Sequence, residues 1–129
     1  MSQTVDPLVQ SRQAAHRESM RTSWADLVSV LSTHIGAQVV AQMAGVTPET
    51  VSRWSNPTRT SSPKPDSERR LRDAYAIYTD LLKVDSPHTI RSWFIGSNPY
   101  LGEASPAEMI GQGELSAVLA AARSFRDLG

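Results

Sequence analysis

Apolar residues recur at helical spacing along nearly the whole chain, and no segment alternates apolar and polar residues for the length of a strand. The first stripe steps by four, three, one, three and four residues through Met20, Trp24, Leu27, Val28, Leu31 and Ile35. These steps place the side chains on one face of a helix, which we predict to begin near Ser11 and to end before Gly36. The pattern predicts an all-α protein.

Local start and stop signals divide the rest of the chain into six further helices, which makes about seven in all. Serine or threonine followed by proline is a typical helix start, because the hydroxyl caps free N–H groups and proline loses no hydrogen bond at the first position. The predicted starts are Ala37, Pro48, Asp66 or Ser67 as a cap, Pro87, Pro106 and Glu114. Three prolines between Asn56 and Pro65 exclude a regular element there.

The spacing between Ala37 and Trp54 is more specific than helicity alone. Ala41 precedes Gly45 by four residues, and Val46, Val51 and Trp54 follow at the spacing of a helix-turn-helix. In that motif a small residue allows the two helices to cross closely, glycine makes the turn, and three apolar residues orient the second helix.

If those apolar residues face inward, a polar face is left on the second helix. The candidates for DNA contact on this face and at its start are Thr47, Glu49, Thr50, Ser52 and Arg53. Arg53 is the residue suited to a bidentate contact with guanine, and the hydroxyls suit bases or phosphate. The alternative is a helical hairpin that only packs and leaves a solvated polar face.

Charge adds a local feature rather than a global one. The chain has 13 Lys+Arg and 13 Asp+Glu, so its formal net charge is zero and no overall field indicates a nucleic acid or a membrane. Six basic residues nevertheless fall within twenty positions: Arg53, Arg59, Lys64, Arg69, Arg70 and Arg72. We predict phosphate contacts for Arg59 and Lys64, whereas the arginines from 69 to 72 suit either phosphate contact or ion pairs with Asp66 and Asp73.

Nothing in the sequence indicates catalysis. Without cysteine there is no disulfide and no thiolate, and His16, His34 and His88 lack the spacing of metal ligands. A phosphate-binding glycine loop and a nucleophile motif are also missing, so we predict neither an enzyme nor a bound cofactor or metal. With no secretory signal and no apolar run of membrane-spanning length, we expect a cytoplasmic protein without a membrane partner.

The second half of the chain resembles the toxin-binding domain of Xre/MbcA/ParS-type antitoxins. The similarity rests on Trp93, the turn Ser97-Asn98-Pro99-Tyr100-Leu101-Gly102 and the helix start Ser105-Pro106-Ala107-Glu108, followed by Gly113 and Val118-Leu119. The order of parts is also similar, since a helix-turn-helix precedes the toxin-binding helices in that family. The resemblance spans about Trp24 to Phe125 and implies a helix-turn-helix DNA-binding domain at 20–83 and toxin-binding helices at 84–129. The residues before them form a polar N-terminal segment at 1–19.

The resemblance further implies a homodimeric antitoxin that neutralises a cognate toxin and represses its own operon at an operator DNA. The toxins of this family are often of the RES type, which consume NAD. The expected toxin contacts are Ser97, Asn98, Tyr100, Arg123 and Arg126. The two arginines would enter a pocket that binds pyrophosphate. Asn98 also suits a purely structural turn, and the arginines suit solvated helix-end charges. The alternative function is a stand-alone transcription regulator that dimerises through its C-terminal helices.

Overall fold

The computed structural model describes residues 22–58 and 62–128, and within them the protein is helical. The seven α-helices are α1 (Trp24–His34), α2 (Ala37–Ala44), α3 (Pro48–Trp54), α4 (Pro65–Leu81), α5 (Pro87–Ile95), α6 (Pro106–Gly111) and α7 (Leu115–Leu128). A single 3-10 turn, Pro99–Leu101, lies between α5 and α6. The predicted all-α fold with about seven helices is confirmed.

The local start signals act as predicted at three helices. Pro48, Pro87 and Pro106 open α3, α5 and α6, and in each case the preceding hydroxyl accepts a hydrogen bond from a main-chain N–H three residues further on. These contacts satisfy donors that have no partner inside the helix. The beginnings of the three helices are therefore set by adjacent residues.

Two predicted starts are wrong. The first helix begins at Trp24 rather than near Ser11, because Ser23 is extended and its hydroxyl accepts from the N–H of Asp26. The fourth begins at Pro65, with Lys64 in the cap position. Ser67, one of the predicted caps, instead donates its hydroxyl to the carbonyl oxygen of Ala44 at 2.7 Å, which ties α4 to the end of α2. The predicted polar segment 1–19 lies outside the described residues.

One hydrophobic core joins the two halves of the chain. Its buried residues come from the helix-turn-helix and from the C-terminal helices alike, for example Val40, Val51, Phe94, Ile110 and Val118. The segments predicted as 20–83 and 84–129 therefore share a core, because each half is too small to bury enough apolar surface alone.

The two halves approach each other closely where α6 meets α2. A Cβ atom on Gly111 would lie 2.7 Å from the main-chain oxygen of Gln42, which is far inside van der Waals contact. Only a residue without a side chain permits this main-chain packing. The last turn of α6 is thus pressed directly onto the first helix of the helix-turn-helix.

Candidate functional site

The helix-turn-helix has the packing that its spacing predicts. Ala41 is buried where α2 crosses its neighbours, and Gly45 ends α2 in the left-handed conformation with a φ of 73°. Val51 is buried and Trp54 is only 4% exposed. The Trp54 ring packs edge-on against Trp24, with ring centroids 5.2 Å apart. The inward placement of Val51 and Trp54 is confirmed, while Val46 is half-buried.

The opposite side of α3 is polar and exposed at Glu49, Ser52 and Arg53, which we call the polar face of α3. Thr47 is largely used as the helix cap, since its Oγ1 accepts from the N–H of Thr50 at 3.3 Å. Arg53 Nη2 donates to Thr50 Oγ1 at 3.0 Å, so the guanidinium lies along the helix surface. The exposed polar side chains of α3 are therefore the three of its polar face.

The basic residues that follow α3 differ in their surroundings. Arg59 lies outside the described residues, and Lys64 is exposed at the start of α4. Arg69 donates to Asp66 at 2.6 Å. Of the two alternatives for these arginines, phosphate contact or an ion pair, Arg69 therefore forms the ion pair with Asp66.

Arg72 is also engaged within the protein. Its Nε lies 3.6 Å from a carboxylate oxygen of Glu68, and its Nη1 donates to the carbonyl oxygen of Thr22 at 3.2 Å. The guanidinium also lies over the Trp24 ring, 5.8 Å from its centroid. Arg72 thus holds α4 against the start of α1 rather than facing outward.

Arg70 lies between those two arginines and faces a different environment. It is half-buried, and its Nη1 is 3.4 Å from the position a Cβ would take on Gly45. An open groove of about 490 Å³ runs here, lined in part by Gly45, Lys64, Asp66 and Arg70. Sequence reasoning did not separate Arg70 from its neighbours, because only the packing of α4 on α2 places it at the helix-turn-helix.

The predicted toxin contacts at 97–102 fall into two groups. Asn98 is 8% exposed, and its Oδ1 accepts from the N–H of Tyr100 at 2.9 Å. Its main chain pairs with residues 103 and 104, so the structural interpretation of Asn98 as a turn-forming residue accounts for its contacts. Ser97 is exposed, and Tyr100 projects outward with 63% of its surface exposed.

The sequence predicted that both arginines of the last helix project into solvent. The structure shows that only one of them does. Arg123 is exposed, but the Nη1 of Arg126 lies 2.9 and 3.1 Å from the two carboxylate oxygens of Asp80. Both side chains of this pair are less than one-fifth exposed. The expectation failed for Arg126 because helical spacing cannot show that α4 presents a carboxylate to that position.

The C-terminal half also exposes apolar side chains that sequence reasoning missed. Trp93 and Phe94 are buried as predicted, and the Trp93 ring lies 5.9 Å from the half-buried Phe125 ring. Ile95, next to them in sequence, is 48% exposed. Its position after two inward residues was the available signal, since a third consecutive helical residue turns away from the core.

Within residues 22–58 and 62–128, no group of three or more His, Cys, Asp or Glu side chains is placed to hold a metal ion. His34 stacks on Tyr78 with ring centroids 5.8 Å apart. Burial, and to a smaller extent the neighbouring Tyr75, raises the pKa of the Tyr78 phenol above its ordinary value. In the same part of the chain, no helix has the length and apolar character needed to cross a membrane.

Comparison of the chain with family models, with curated proteins and with solved structures finds no match. The interpretation of the candidate site therefore depends on its residues and their geometry alone.

Proposed function

We propose that this protein is a DNA-binding antitoxin, active as a cytoplasmic homodimer without a cofactor, that represses its own operon. The observation that supports DNA binding is the division of α3 into two faces. Val51 and Trp54 are in the core, whereas Glu49, Ser52 and Arg53 are exposed. A short helix held in this way, with an exposed serine and an exposed arginine, suits insertion into a major groove.

A second surface supports binding to a toxin. Tyr100 is the most exposed aromatic residue among those described, and it is held by the buried Asn98. An exposed tyrosine on a rigid turn suits a protein partner, because it offers a large contact area at little conformational cost. By resemblance, that partner is a toxin of the NAD-consuming RES type.

The second candidate is a stand-alone regulator that uses its C-terminal helices only to dimerise. The shared core favours it, since helices that complete the core of the helix-turn-helix are needed for folding whether or not a toxin exists. Both functions would use the polar face of α3 to bind DNA. They differ in whether the surface around Tyr100 binds another protein or a second copy of the chain.

DNA reading is tested by comparing Arg53→Ala with Lys64→Ala on DNA from upstream of the protein's own gene and on a mixed-sequence duplex. Arg53→Ala is expected to cost ~1–3 kcal/mol on the preferred site and little on mixed sequence, because a base contact is lost. Lys64→Ala should weaken both alike, as loss of a phosphate contact does. An unchanged preference in Arg53→Ala would remove base reading from this helix.

Toxin binding is tested by co-expression with the product of the adjacent gene. Wild-type protein should restore growth and co-purify with the toxin, and Tyr100→Ala should reduce rescue while leaving DNA affinity unchanged. Ser116→Ala, a change at an exposed residue on α7, is the matched control for folding. If wild-type protein neither rescues nor co-purifies, and Tyr100→Ala changes only the monomer–dimer equilibrium, the stand-alone regulator is the correct function.

A further inference from the structure

Arg70 is the one arginine of the run 69–72 that has no ion-pair partner among the residues the structure describes. Arg69 is paired with Asp66, and Arg72 with Glu68. Arg70 is half-buried, and its Nη1 lies 3.4 Å from the position a Cβ would take on Gly45. Its guanidinium has five N–H donors suited to the oxygens of an external anion.

A second cation faces the same groove. Lys64 occupies the cap position of α4 and Arg70 lies six residues further on, and both line the 490 Å³ groove. Asp66 also lines the groove, but its carboxylate is bound by Arg69 at 2.6 Å. The net charge offered to a ligand in the groove is therefore positive.

The walls of the groove are held in place by the fold. Ser67 is buried, and its hydroxyl donates to the carbonyl oxygen of Ala44 at 2.7 Å, which joins the start of α4 to the end of α2. The end of Arg70 reaches the turn at Gly45, where a Cβ would be in van der Waals contact with its Nη1 at 3.4 Å. Thr47, at the start of α3, is two residues further along the chain.

We propose that Arg70 and Lys64 bind a DNA backbone phosphate in this groove and thereby position the recognition helix α3 in the major groove. This inference rests on the proposed DNA binding and adds a phosphate site to it. Arginine suits the task because its planar guanidinium donates two parallel hydrogen bonds to phosphate oxygens. The contact is independent of base sequence, so it sets orientation rather than specificity.

The test is a salt titration of binding to a mixed-sequence duplex of about two helical turns, long enough for two half-sites. In Arg70→Ala, the slope of log affinity against log salt concentration should fall by about one per protomer, because one phosphate contact is lost. Arg70→Lys should recover most of the slope. Arg123→Ala is the matched control: it removes the same charge from an exposed arginine on α7 that does not line the groove. Thermal melting of each variant verifies that it is folded.

Each outcome decides the proposal. A lower slope in Arg70→Ala with an unchanged slope in Arg123→Ala supports the proposed phosphate site. Equal slopes in wild-type protein and Arg70→Ala, or equal losses in Arg70→Ala and Arg123→Ala, overturn the phosphate site and leave the proposed DNA binding intact. Absence of any DNA binding by the wild-type protein overturns both.

Discussion

The helix-turn-helix and the C-terminal helices share one core but differ in the surfaces they present. From residue 22 to 83, within the described ranges, one large hydrophobic side chain is exposed, that of Leu82 at the end of α4. From residue 84 to 128 there are four: Val84, Ile95, Tyr100 and Leu128. The first region thus exposes fewer apolar side chains than the second, although it is longer.

Under the proposed function, the two regions would meet different classes of partner. A polar face with an arginine and hydroxyls loses little when it stays hydrated and fits the groove and backbone of DNA. Exposed tyrosine and aliphatic side chains gain when another protein covers them. Because one core supports both surfaces, a substitution can change one surface alone or can change both by destabilising the fold.

Trp54→Ala is expected to have the largest effect. It removes a ring that is buried on the inward side of α3 and packed on Trp24, so it should destabilise the fold by ~3–5 kcal/mol. DNA binding should be lost only because the protein unfolds. Ser52→Ala, on the exposed side of the same helix, should change stability by less than ~0.5 kcal/mol. Chemical denaturation of both variants tests this, and a stable Trp54→Ala protein that selectively lost DNA binding would contradict it.

Gly111→Ala tests whether the two regions are coupled. In an uncrowded helix this change stabilises by about 0.5–1 kcal/mol, since glycine is the poorer helix former. Here the added Cβ meets the Gln42 carbonyl oxygen, so we expect a loss of ~1–3 kcal/mol instead. The sign of the change in unfolding free energy decides the question.

Gln112→Ala, at the exposed neighbouring residue, is the control for Gly111→Ala and should be nearly neutral. A stabilised Gly111→Ala protein, or one that unfolds in two separate steps, would show that α6 and α2 are not tightly joined.

Arg126→Ala is expected to have the smallest effect of the three. It breaks the pair with Asp80, whose side chains are less than one-fifth exposed, and should cost about 1 kcal/mol. Amide hydrogen exchange in the last turns of α7 should quicken while exchange in α2 and α3 is unchanged. The exposed Arg123→Ala should do neither, and equal effects of the two substitutions would mean that the Asp80 pair does not anchor the helix.

Much of the fold was predictable because its signals are local. The caps at Thr47, Ser86 and Ser105 and the left-handed Gly45 depend on contacts within a few residues, which the sequence displays directly. The inward face of α3 was predictable for a similar reason, since helical periodicity and the helix-turn-helix spacing agree there. The predicted start of α1 was too early. The apolar spacing extends to residues before Ser23, but the Ser23 hydroxyl caps the helix, which begins at Trp24.

The sequence alone therefore determined the number of helices, the caps at Thr47, Ser86 and Ser105 and the polar character of the exposed face of α3, since each depends on neighbours in the chain. Only the tertiary structure decided which cations form ion pairs. Arg70 and Arg126 look alike in sequence, yet among the described residues Arg70 has no ion-pair partner, whereas Arg126 is bound to Asp80, 46 residues away. Ion pairing depends on which helices pack together, and that depends on the whole core rather than on any local pattern.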